Sequence, residues 1–292
     1  MLYLMFAPVA IYFAVFAYVP MAGLVVAFKE YNYQGGIFGS PGNGLENFRF
    51  FYESGKLLQV TWNTALYNVI FLGAYTALSL LTAVLISEMS GKKFKKLAQS
   101  LLFLPYFISW VTVSAFVYNI LNYEYGLANS TLRAAGHEAF DLYANPNNWY
   151  VLLPVLYVWK WVGFGSVLYL AAISGIDPEC YEAATLDGAN LFQRIRFITL
   201  PLLRPTVIVL VLLGVGRIMR GEFDMFWQLI GNNGNLIDTT DIIDTLVWRS
   251  LVGSQDFGMA SAAGLYQSVL CLVIILIVNY SVRRYDRAHA LF

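Results

Sequence analysis

Charge is scarce in this chain. Of 292 residues only 12% are Asp, Glu, Lys or Arg, and the 18 basic and 18 acidic side chains cancel to a formal net charge of zero. A balanced chain exerts no long-range pull on a polyanion, so nothing here points to nucleic acid. Cysteine is nearly absent: Cys180 and Cys271 stand alone, without the spacing of a disulfide framework or a thiolate metal site. His137 and His289 are far apart and no HExxH pair occurs, which leaves no zinc ligand set. A phosphate-cradling GxxxxGKS/T stretch is missing too, so the chain has no nucleotide loop of that kind. What fills the sequence instead is apolar: 59% of residues are hydrophobic and the mean hydropathy is +0.60. Those values exceed what a water-soluble globule carries and fit an integral membrane protein.

About 20 apolar residues cross a bilayer core, and six runs meet that length. The first spans Met1 to Phe28 without a charge, with Pro8 and Pro20 as expected kinks. It is too long for a signal-peptide core and reads as a retained helix. It lacks the usual basic flank, which carries the expectation of a short further tail ahead of Met1. The others are Leu57–Ser87, Leu97–Tyr123, Trp149–Ile176 (interrupted by Lys160), Pro205–Ile230 and Phe257–Val282. Lysine and arginine concentrate in GKKFKK (Gly91 to Lys96), in Arg194, Arg196 and Arg204, and in Arg283, Arg284 and Arg287. The connections 29–56, 123–148 and 231–256 carry basic residues at lower density. The positive-inside rule then places the three basic regions and both termini in the cytoplasm. The reading is an all-α membrane protein: residues 1–56 hold the first helix and an extracytoplasmic loop, 57–285 a core of five helices, and 286–292 a cytoplasmic tail.

One cytoplasmic connection, at about 177–204, is unusual. Asp177-Pro178 starts a helix well, with Asp as N-cap, Pro in the first turn and Glu179 at the positive end of the dipole. Gly188 is a natural stop. The helix between them has about ten residues and a length of roughly 15 Å, too short and too charged to span. Its surface is thin at Ala183, Ala184 and Ala189, and a second short helix is expected over Asn190–Thr199, before Pro201 and Pro205. Physically, such a pair suits either a groove on a partner or the headgroup layer.

The pattern Glu182-Ala183-Ala184, Asp187-Gly188-Ala189, then Ile198-Thr199-Leu200-Pro201 resembles the EAA loop of binding-protein-dependent ABC importer permeases. Ile195 stands where that family usually has an aromatic, but it is still apolar. The resemblance covers nearly the whole chain. YVPMAGLVVAFKEYN, GLENF (Gly44 to Phe48), NTALYNV from Asn63, YLAAISGIDPECYEAATLDGA, DIIDTLVWRSL and AAGLYQSV all look like the polysaccharide-type branch of the maltose-permease superfamily. Gly42-Asn43 departs from it where a Trp-Val pair is common, which bears on docking of a binding protein there. The resemblance implies a type I importer permease fold of six spans. It implies as partners a second permease subunit, two ATPase subunits that bind ATP and Mg, and an extracytoplasmic solute-binding protein delivering an oligo- or polysaccharide. An acidic polymer such as alginate is among the substrates it implies. The coupling residues carried over are Glu182, Ala183, Ala184, Asp187, Gly188 and Ala189.

A second informative stretch is GRIMRGEFDMFW, Gly216 to Trp227. Ionisable groups at membrane depth face a cavity or one another. On one helix, Arg217 and Arg220 would share a face, with Glu222 and Asp224 just beyond. Internal ion pairing is one reading. The other is that the arginines, with Lys160, give the pathway a positive lining for an acidic sugar, since a guanidinium fork engages both oxygens of a carboxylate. Trp227 could stack on a sugar ring or anchor at the interface, as could Trp110, Trp159 and Trp161. Asn119 and Gln267 are polar within spans, fit either for a cavity or for interhelical hydrogen bonds. An ion-gradient-driven transporter would carry inverted repeats, and no internal repeat is visible. A membrane glycan-processing enzyme would need a paired acid and base; Glu222 and Asp224 form such an intramembrane pair, but no nucleophile accompanies them. An inert scaffold subunit is a third alternative.

Overall fold

The computed structural model describes residues 2–53 and 55–285. The expected tail at 286–292, with Arg287 and His289, lies outside the described residues. Among the described residues the chain is helical, and its extended pairing is a single antiparallel bridge between Lys29 and Gly42. Among the described residues five helices are long and apolar enough to cross a membrane: Met5–Phe28, Lys56–Glu88, Pro146–Ser174, Leu191–Val215 and Phe257–Arg284. A bent pair, Lys92–Phe107 with Trp110–Leu121, supplies a sixth if it counts as one span.

Two of these helices depart from regular α geometry next to proline, while Pro154 is carried within the regular helix Trp149–Ser174. The first runs as α-helix over Leu2–Phe13, widens at Ala14–Tyr18, and tightens to a 3-10 coil over Val19–Phe28 with Pro20 in its first turn. Proline lacks the N–H that an α turn needs and its ring crowds the preceding turn, so the coil changes pitch instead of breaking. The same device recurs at Ile195–Thr199, a wide turn that leads into Leu200–Val215. Here Pro201 and Pro205 sit within the helix, so the expected boundary before Pro201 is absent: the Leu191 segment runs on into the span.

Two spans differ from the sequence expectation. The third, read as continuous from Leu97 to Tyr123, is broken by a bend of 92°. Pro105 begins a 3-10 turn at Leu104–Phe107, Ile108 is extended, and Ser109 caps a new helix by accepting from the Thr112 N–H at 3.3 Å. The fifth, read as Pro205–Ile230, ends at Val215. Gly214 and Gly216 weaken the helix there, residues 217–219 continue as turn, and a separate helix starts at Phe223. Arg217 and Arg220 therefore do not share a helix face.

The chain forms two compact units: Met1–Thr64, Met219–Gly221 and Asp241–Leu270 in one, and Ala65–Ile218, Glu222–Thr240 and Cys271–Phe292 in the other. In the first, Val60, Ile243, Leu246 and Ala263 form a buried cluster. In the second, Ala83, Ile86, Tyr169 and Leu170 do so. Small residues set helix spacing in the second unit. A Cβ on Gly163 would lie 1.9 Å from the Leu102 carbonyl oxygen, so the main chains meet directly. Gly163→Ala must displace backbone, and a loss of about 1–3 kcal/mol is expected; thermal unfolding of the purified complex measures it.

Candidate functional site

The short helix Pro178–Leu186 is built by its caps. The Asp177 carboxylate accepts from the Glu179 N–H at 3.0 Å. At the other end Ala189 N–H reaches the Ala184 carbonyl at 2.9 Å and Gly188 N–H the Thr185 carbonyl at 3.1 Å. That crossed pair closes the helix with Gly188 at φ +80°, a conformation other residues adopt only with strain. The next helix, Leu191–Arg194, opens on a reciprocal cap: Asn190 accepts from Gln193 N–H at 2.9 Å, and Gln193 accepts from Asn190 N–H at 2.8 Å. Caps at both junctions make the turn rigid without a core beneath it.

That turn leaves apolar side chains in the open. Leu186 is 90% exposed, and Phe192 and Phe197 are exposed as well. Glu182, Ala183, Asp187 and Gly188 are exposed, while Ala184 and Ala189 are half-buried beneath them. A shallow groove follows, lined by Ala184, Gly188, Ala189, Gln193 and Phe197. Leu186, Phe192 and Phe197 thus place three large apolar side chains in the open on one short turn.

The second cluster surrounds the broken third span. The break frees main-chain carbonyls inside an apolar segment, where each lost hydrogen bond is costly. Lys160, on the helix Trp149–Ser174 and only 6% exposed, answers them. Its ammonium donates to the carbonyls of Tyr106 at 3.2 Å, Pro105 at 3.5 Å and Ile108. It also lies 5.2 Å from the centroid of the Trp110 ring. Trp110 N–H donates in turn to the Glu222 carboxylate at 3.2 Å, and Lys160 and Glu222 interact electrostatically. Lys160 is thus engaged with backbone. Asp224 is exposed; Trp227 stacks on Phe223 with centroids 6.1 Å apart. Asn119 donates to Ala115 of its own helix at 2.7 Å.

In the other unit Gln267 is buried, and its amide donates to the Met219 carbonyl at 2.7 Å and to Asp244 at 3.0 Å. Asp244 also accepts from Gly221 N–H at 2.7 Å. Burial pushes the Asp244 carboxyl up, against the pull of Gly221 N–H, Gln267 and the Arg220 charge. Buried Asp241 pairs with Arg249 and accepts from Thr245 at 2.6 Å. Neither aspartate is singled out by the sequence, because DIIDTLVW shows two acids without the partners that they meet through the fold. Arg217 and Arg220 are each exposed.

Residues 70–287 match the family described as binding-protein-dependent transport system inner membrane component. The chain belongs to that family. Two Bacillus subtilis (strain 168) proteins are similar to this permease nearly end to end. The polygalacturonan/rhamnogalacturonan transport system permease protein YteP is 32% identical over 97% of this chain and 88% of its own length. Protein LplB is 31% identical over 98% of this chain and 89% of its own. Among solved structures, one chain of a bacterial alginate ABC transporter in complex with alginate pentasaccharide-bound periplasmic protein is 32% identical. It superposes with a TM-score of 0.87, over 97% of this chain and 94% of that one. The permease therefore has the type I importer permease fold, as an inner membrane component of an ABC transport system.

Proposed function

We propose that this permease is one of two membrane subunits of an importer for an oligo- or polysaccharide, driven by ATPase subunits that dock on the helix Pro178–Leu186 and its Asp187-Gly188-Ala189 stop within the 177–204 loop. The observation that carries the reading is the helix Pro178–Leu186, capped at both ends and holding Leu186 almost wholly in solvent. Glu182 and Asp187 are surface acids available to a polar cleft, and Gly188 turns the chain where a side chain would strain it. With residues 57–285 as the core, the loop and both termini face the cytoplasm. ATP and Mg belong to the partner ATPases, since this sequence holds no phosphate loop of its own. ATP binding draws the loops of the two permease subunits together and opens the path outward, where a solute-binding protein delivers the sugar; hydrolysis resets the path.

The saccharide is supported by the relatives named for polygalacturonan/rhamnogalacturonan and for the acidic polysaccharide alginate. An acidic substrate agrees with the exposed arginines, Arg217 and Arg220, each able to engage a carboxylate with two N–H groups. Arg220→Ala is expected to lower uptake of uronate oligomers by about tenfold, the worth of one charge-assisted hydrogen bond, and to spare neutral sugars. Uptake of radiolabelled oligosaccharides by proteoliposomes decides it; equal loss for both classes would contradict the acidic reading.

A further inference from the structure

The Pro178–Leu186 helix is tied sideways as well as along the chain. Its covalent connections lead to the spans Pro146–Ser174 and Leu191–Val215. The span Lys56–Glu88 has no such connection, yet its last residue meets the loop: Glu88 Oε2 lies 3.8 Å from Arg194 Nη2. The other arm of the same guanidinium, Nη1, donates to Thr185 Oγ1 on the short helix at 3.4 Å. Thr185 is anchored through its hydroxyl to the Tyr181 carbonyl at 2.7 Å, and the Tyr181 hydroxyl shares a hydrogen bond with Thr199 at 3.0 Å. Beside Glu88, the Ser87 carbonyl accepts from Lys95 at 3.3 Å. Directly along that helix, Ala83 and Ile86 belong to the buried cluster with Tyr169 and Leu170.

We propose that Arg194 is a positioning residue that carries movement of the loop into the span Lys56–Glu88. The proposal rests on the reading of the loop as the ATPase dock. An exposed ion pair would be too weak for this, but both side chains are about three-quarters shielded, at 28% and 26% exposure. The fork of an arginine reaches Thr185 and Glu88 at once, which the point charge of a lysine does not. The end of the span then follows the loop as one body, and the buried cluster above Glu88 passes the displacement to neighbouring helices.

The test uses the whole complex in liposomes, with its second permease subunit, ATPases and sugar-loaded binding protein. Arg194→Glu, Glu88→Arg and the double swap are compared by the ratio of sugar-stimulated to basal ATP hydrolysis. Each single variant is expected to keep its ATPase subunits through purification while the ratio falls at least about fivefold, the scale of a coupling between sites. The swap is expected to recover most of the loss. Arg194→Gln shows the same fall if the reversal does not assemble, and Arg194→Lys lies between. Unchanged ratios in the single variants, or a swap no better than either, overturn the proposal. Loss of the ATPase subunits from Arg194→Gln overturns it as well, because that makes Arg194 part of the dock. Leu186→Asp is measured alongside: if it keeps both ATPase subunits and stimulation, the docking reading itself has failed.

Discussion

Leu186→Asp is expected to strip the ATPase subunits from the complex and to abolish ATP-driven uptake. Leu186 is 90% exposed in the chain by itself. Full burial of a leucine is worth about 1.5–3 kcal/mol, and a buried unpaired carboxylate costs more than the leucine gained. Affinity for the ATPase then falls by at least about a hundredfold, a difference of roughly 2.7 kcal/mol. The folded permease is unaffected, because the side chain touches so little of it. Co-purification with the ATPase measures the first effect and thermal unfolding of the permease the second. A variant that keeps its ATPase and transports normally would remove the loop from the coupling route.

Lys160→Ala is expected to destabilise the permease by about 3–5 kcal/mol, the cost of removing one partner from a buried charged network. The ammonium caps carbonyls of Pro105, Tyr106 and Ile108 at the 92° break, and it is the cation facing Glu222 across Trp110. Removing it takes the side-chain donor from the Tyr106 and Ile108 carbonyls in an apolar setting, while the Pro105 carbonyl keeps the Ile108 N–H. Lys160→Met, which keeps the volume, is expected to behave the same way. Uptake of acidic and neutral sugars falls together in either variant, as does the midpoint of thermal unfolding. Loss confined to acidic sugars, with unfolding unchanged, would return Lys160 to the pathway lining that the sequence alone left open for it.

The apolar spans were legible because bilayer crossing needs only length and the absence of charge, and both can be counted in the sequence. The short helix was legible too, since Asp177, Pro178 and Gly188 are local signals whose meaning does not depend on the rest of the fold. The two spans that came out differently fail for one shared reason. Hydropathy counts residues and ignores where the backbone hydrogen bonds go. The break at Pro105–Ser109 survives in an apolar segment because Lys160, more than fifty residues downstream, supplies a donor to the Tyr106 and Ile108 carbonyls. The halt at Val215 leaves Gly221 N–H to be taken by Asp244, again from a distant segment. Asp244, and separately the pair Glu88 and Arg194, were not legible for the same reason: each looks like an ordinary charged residue until the fold supplies its partner.

The permease is proposed to convert ATP hydrolysis by a partner into sugar uptake. The direct measurement is ATP hydrolysis by the purified complex in liposomes, with a binding protein loaded in turn with uronate and neutral oligosaccharides. Hydrolysis is expected to rise with loaded binding protein, most with the uronate oligomers, and the rise to vanish in Leu186→Asp. Hydrolysis indifferent to every loaded sugar, or a complex that carries no ATPase, would contradict it.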